Sequence, residues 1–167
     1  MGAKQILGGD KTAEVKVKKS KGMKIAYVKH VGAYNKVPYD KYYEKLFAWI
    51  KEKRLRPAGP PFGIFYDNPE EVPAKKCRSE VGVPIKGNAK SGKEIKVKRI
   101  PSATVARLVH RGPMKDYGKS YEKINKWIAE NGYVWAGPCM EIYLSKPKMV
   151  RGKLSVLTVI RVPVKKA

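Results

Sequence analysis

Glu141 is the residue best placed to do chemistry in this chain of 167. The chain holds 14 Asp+Glu against 37 Lys+Arg, so a carboxylate set between apolar neighbours is out of the ordinary. It stands in the run Cys139-Met140-Glu141-Ile142-Tyr143-Leu144. Side chains alternate faces along a strand, which puts Met140, Ile142 and Leu144 on one face and Cys139, Glu141 and Tyr143 on the other. A carboxylate in such company loses hydration, so its pKa rises and it gains by meeting a cation. Tyr143 adds a π-face that also attracts cations. The earlier run Pro61-Phe62-Gly63-Ile64-Phe65-Tyr66 has the same alternation, with Gly63 at the place of Glu141, leaving room, and Phe65 at the place of Tyr143. This set suits an aromatic or cationic small molecule. An ordinary ion pair between Glu141 and one of the many lysines is the alternative, and the residues alone leave both open.

Other reactive side chains are few. His30 and His110 hold equivalent strand ends before Gly32 and Gly112. Matched histidines can do metal or acid–base work, but equivalent residues at equivalent places are more simply fold-stabilising. Cys77 and Cys139 lack a CxxC neighbour and His is scarce, so no metal-ligand set is visible. Both are read as small buried hydrophobes inside strands, with a disulfide as the alternative. No cofactor is implied, and no Ser or Cys triad stands out. Trp135 precedes the Glu141 strand and is a candidate wall of the site. Tyr34 and Met114 occupy equivalent loops and are candidates for the lips of a cleft or for plain loop packing.

The elements that must position these residues come as one module written twice. Glu14-Val15-Lys16-Val17-Lys18-Lys19 returns as Glu94-Ile95-Lys96-Val97-Lys98-Arg99, and His30-Val31-Gly32 as His110-Arg111-Gly112. Tyr43-Glu44-Lys45, Trp49-Ile50 and Gly59-Pro60 return as Tyr121-Glu122-Lys123, Trp127-Ile128 and Gly137-Pro138. The first repeat runs from about 13 to 86, the second from about 93 to 165, with Gly87 to Gly92 as a small polar linker. Each reads ββαββ. Tyr39, Tyr42, Leu46 and Ile50 lie on one helical face, widened by Tyr43, Phe47 and Trp49. Tyr117, Tyr121, Ile124 and Ile128 mark a second helix, ended by Asn131-Gly132. The expected fold is α+β over 1–167 as a single domain. Duplicated modules are related by a pseudo-twofold axis, with an antiparallel sheet, two helices on one face and a central cleft. The Met140 and Phe62 faces are expected to pack under the helices, leaving Glu141 on the opposite face.

A formal net charge of +23 predicts loose attraction to polyanions, including weak association with nucleic acid. Lysines outnumber arginines and lie along nearly every segment, which argues against base reading by bidentate Arg. No run of about 18 apolar residues is present, so no membrane span is expected. Met1 to Asp10 lacks the apolar core of a signal peptide, which points to the cytoplasm.

The ordered motifs resemble GyrI-like domains, also called AraC-type effector-binding domains. Tyr27-Val28-Lys29-His30-Val31-Gly32-Ala33-Tyr34 is similar to their opening strand and loop, and Pro60 to Pro69 to their central strand and turn. Cys77 to Pro84 is similar to the strand after that turn, and His110-Arg111-Gly112-Pro113 and Gly137 to Tyr143 resemble the second half of such domains. The resemblance implies a cleft that binds hydrophobic, often cationic compounds, with an acidic residue at the position of Glu141 and aromatics around it. Many such proteins carry a helix-turn-helix domain; this chain resembles the stand-alone members, which work beside a separate regulator or on gyrase. It also implies an enzyme alternative, hydrolysis of cyclopropanoid genotoxic compounds with Glu141 assisting water.

Overall fold

A computed structural model describes residues 14–167; the reading of Met1 to Asp10 lies outside them. The fold is α+β: antiparallel sheet with two α-helices. The chain packs as two compact units, one of residues 21–103 with 138–140, the other of the remaining described residues.

In the first unit, β2 (Met23–Val31) is flanked by β5 (Arg78–Lys86) and β6 (Lys96–Ile100). The far edge of β5 carries β4 (Phe62–Phe65) and the two-residue β3 (Arg56–Pro57). Helix α1 (Tyr39–Glu52) follows Pro38, whose fixed φ and missing N–H cost nothing at a helix start. Asp40 in the first turn complements the helix dipole. The helix ends where Arg54 turns to φ 59°. Leu46 and Ile50 pack with Ala26, Val28, Val81, Val83 and Ile85. Burying each large aliphatic side chain contributes about 1.5–3 kcal/mol, so this seam holds the helix to the sheet. Phe47 is outside it, 41% exposed, because a residue one step after Leu46 is carried about 100° around the helix. On the other sheet face Gly82 is held to glycine by close approach. A Cβ there would sit 2.7 Å from the Phe62 ring and 2.9 Å from the Ala26 carbonyl oxygen.

The second unit follows the order β1 (Lys16–Ser20), β7 (Ala103–Pro113), β11 (Lys153–Lys166), β9 (Cys139–Tyr143). Of β9, Glu141 onward belongs to this unit, while Cys139 and Met140 group with the first. Two short strands, β8 (Tyr133–Trp135) and β10 (Lys148–Val150), pair with opposite ends of β11. Helix α2 (Tyr117–Glu130) stops at Asn131, and Gly132 takes φ 76° as its C′ residue. Arg151 (φ 51°) and Gly152 (φ 76°) close the β10–β11 hairpin, the left-handed pair that a two-residue turn of this twist needs.

The long strands and both helices lie where the sequence places them, but β3, β8 and β10 were not foreseen. They span two or three residues, too few for alternation to register. No helix is long and apolar enough to cross a membrane, among the described residues.

Candidate functional site

Helix α2 stacks Tyr117 and Tyr121 four residues apart, on one face. That face lies over β7 and β11. The Tyr117 hydroxyl shares a 2.7 Å hydrogen bond with the Thr158 hydroxyl. Ser120 Oγ meets His110 Nδ1 at 2.7 Å, and His110 Nε2 donates to the Pro113 carbonyl at 3.0 Å. His110 is therefore fully engaged in tying the helix to β7.

One turn further on, the Tyr121 hydroxyl donates to Glu141 Oε2 in a short hydrogen bond. The Tyr143 hydroxyl donates to Oε1 at 3.0 Å. Both carboxyl oxygens are thus held by phenols. Burial pushes the Glu141 carboxyl above its ordinary range, and the two phenol donors oppose that push without cancelling it. Burial also carries the Tyr117 phenol up to about 12, and the charge of Glu141 adds to the rise. No Lys or Arg is among the Glu141 hydrogen bonds or ion pairs of the described residues. Burial disfavours the carboxylate anion, and each phenol stabilises it.

This geometry reverses the expected faces of the strand. Glu141 does not point away from the helices; Tyr121 of α2 reaches it. Strand β4 agrees. Gly63 lies opposite Val81 and Phe65 opposite Ser79, whereas Phe62 and Ile64 lie opposite Gly82 and Glu80. Val81 belongs to the core beneath α1, so Gly63 and Phe65 share the helix side. Phe62, Gly63 and Ile64 are all buried. A strand buried on both faces carries no sequence sign of which face the helix covers.

The remaining candidates divide. Phe65 packs edge-on against Tyr34, with ring centroids 4.9 Å apart. The Tyr34 hydroxyl donates to the Asp67 carbonyl at 2.7 Å and accepts from the Asp67 N–H at 2.9 Å. Burial raises its pKa to about 12, and the thiols of Cys77 and Cys139 lie near enough to add to this. Both cysteines are buried; Cys77 stands one residue before β5 rather than inside it. Met114 is 37% exposed in a 3-10 turn ahead of α2. Trp135 is 42% exposed and donates to Asn125 Oδ1 at 2.9 Å. Its strand partner is Val164. No described contact joins Met114 or Trp135 to Glu141.

Tyr117 and Tyr121 were missed as site residues, because their helical spacing reads as core. A buried carboxylate, Glu80, was also missed. Glu80 accepts from Tyr66 at 2.8 Å and pairs with Lys98 at 2.7 Å, while Lys98 lies over the Tyr27 ring at 4.4 Å. Unlike Glu141, it already has its cation. No cluster of three or more metal-binding side chains occurs among the described residues.

Against known proteins, residues 13–165 match the model of the GyrI-like small-molecule-binding domain. A DNA gyrase inhibitor of Erwinia billingiae is 35% identical over 109 residues, 62% of this chain and 68% of that protein. In fold, the chain is similar to the C-terminal domain of EcmrR, with a TM-score of 0.71 at 20% identity, covering 93% of this chain and 99% of that one. It is also similar to SAV2435 bound to tetraphenylphosphonium, with a TM-score of 0.58 at 13% identity, covering 91% of this chain and 94% of that one. With an ordered match across almost its whole length, this chain belongs to the GyrI-like small-molecule-binding domain family.

Proposed function

We propose that the protein binds a hydrophobic, aromatic cation at Glu141, as a sensor or a sequestering protein. The observation that carries this is the desolvated Glu141 carboxyl, held by Tyr121 and Tyr143 with Tyr117 alongside. A small, strongly hydrated ion such as Lys ammonium loses too much solvation there, whereas an aromatic cation brings its own apolar surface and stacks on phenol faces. The SAV2435 complex with tetraphenylphosphonium supports a ligand of that chemistry.

Matched hydrogen bonds in the two halves support duplicated modules. His30 Nδ1 meets the Tyr42 hydroxyl as His110 Nδ1 meets Ser120. Tyr43, the counterpart of Tyr121, donates to the Phe62 carbonyl instead of a carboxylate. Its strand has Gly63 where the other has Glu141, so only backbone is left to accept. In this reading the cation site belongs to the Glu141 half. Tyr34, Phe65, Gly63 and Cys139 form the apolar counterpart, and Met114 and Trp135 are peripheral.

The test is titration with tetraphenylphosphonium and with an anionic dye of similar size, followed by tyrosine and tryptophan fluorescence. Saturable binding of the cation, at least tenfold tighter than the anion, is expected; equal affinities would remove the role of the carboxylate. The relatives named DNA gyrase inhibitors support a second reading, in which gyrase is the partner. A supercoiling assay with this protein present tests it, and unchanged supercoiling at saturating protein would end it.

A further inference from the structure

Strands β7, β10 and β11 contain no Asp or Glu, and from Ile142 to Ala167 the chain has none at all. Register shows where their cations point. Arg107 stands directly opposite Arg161, and Arg111 opposite Leu157. Lys148 stands opposite Ser155, and Val150 opposite Lys153. The odd-numbered residues of β11 share one face. Thr158, on the even face, reaches Tyr117 of α2, so the odd face is turned away from that helix. Arg107, Arg111, Lys148, Lys153 and Arg161 therefore lie on one sheet face. Arg111, Lys148 and Lys153 are exposed, and Arg107 and Arg161 half-buried.

We propose that this face binds the phosphate backbone of double-stranded DNA without reading its sequence. Lys153 and Arg161 are eight residues apart on one strand, which spans ~27 Å at about 3.4 Å per residue. That length covers about eight phosphates along one strand of a duplex. Of the exposed apolar residues of the hairpin, Met149 and Leu154 are on the other face from Lys148 and Lys153, and Val150 stands beside Lys153; an anionic membrane surface is therefore the competing outcome of the test below. A two-stranded ribbon also has the width to enter a major groove, and lysine-rich contacts favour phosphate over base edges. This inference does not depend on the small-molecule reading.

The experiment is fluorescence anisotropy of a labelled DNA duplex against salt concentration, using the full chain. A triple variant, Arg111→Gln, Lys148→Gln and Lys153→Gln, removes exposed cations only. A control, Lys41→Gln, Lys51→Gln and Lys53→Gln, removes the same charge from exposed positions of the other unit. The first variant is expected to bind at least about tenfold more weakly at 0.1 M salt, with the log–log salt slope smaller by about 2.7, while the control stays near the parent. Equal losses in the two variants would show net charge alone at work. No binding by the parent, or binding to anionic vesicles with none to DNA, would equally overturn the proposal.

Discussion

Replacing Glu141 by Gln keeps the shape of the side chain and one acceptor, and removes the charge. For a monovalent aromatic cation centred ~5 Å from the carboxylate, attraction at an effective dielectric of about 20 is about 3 kcal/mol. Part of that is offset before it appears as affinity. The acid must be ionised from a raised pKa, which burial imposes, and both ions lose hydration. About half surviving leaves ~1.5 kcal/mol, or roughly tenfold; the full attraction sets a ceiling of roughly 150-fold. Isothermal titration at pH 8 with tetraphenylphosphonium is therefore expected to show Glu141→Gln weaker by about 10- to 150-fold. Triphenylphosphine oxide, similar in shape and uncharged, should bind both forms alike. If the variant stays folded and holds the cation within twofold of the parent, the electrostatic account fails. If both ligands weaken together, Glu141 acts through packing rather than charge.

The same residue should mark stability. A carboxyl whose folded pKa is raised makes the native state bind more protons than the unfolded state, so its contribution is present below the ordinary carboxylate range and is lost as pH rises through the folded value. Glu141→Gln should thus raise Tm at pH 8 relative to the parent, by ~2–4 °C for each kcal/mol, with the gain shrinking towards pH 4; a gain that grows in acid contradicts the sign. Tyr121→Phe removes a donor to the anion, worth about 1.5–3 kcal/mol for a charged partner. It should push the Glu141 pKa further up and weaken cation binding at neutral pH, whereas Tyr43→Phe should leave it unchanged by calorimetry. Gly82→Ala drives a methyl into the Phe62 ring and the Ala26 carbonyl. Urea denaturation should show a loss of about 1–3 kcal/mol, and a loss under 0.5 kcal/mol would mean that β4 and β2 yield more readily than their contacts suggest.

Much of the fold was legible because the long elements carry their own period. Leu46 and Ile50, and Ile124 and Ile128, repeat every four residues and are the buried residues of their helices. The β-rich run from Met23 to Val31 is found as β2. Glu141 stood out by rarity alone. What was not legible is which way its strand turns. Phe62, Ile64 and Met140 are buried on one face, and Gly63 and Cys139 on the other, so the hydrophobic pattern is symmetric and cannot orient the strand. Tyr121 was hidden for a related reason. A tyrosine at helical spacing satisfies the core pattern with its ring, and only the position of its hydroxyl reveals the carboxylate beside it. Glu80 and Lys98 lie 18 residues apart in sequence, and only the β2 ladder joining β5 and β6 brings them together.

The most direct test of the central claim is a carboxyl-carbon NMR titration of Glu141 in protein labelled at glutamate, with Glu141→Gln to assign the signal, in the absence and presence of tetraphenylphosphonium. The account predicts a free-protein pKa above the ordinary glutamate range that falls when the cation binds, with protons released to solvent at pH values between the bound and free pKa. An ordinary pKa, or a raised one that saturating cation leaves in place, would contradict it.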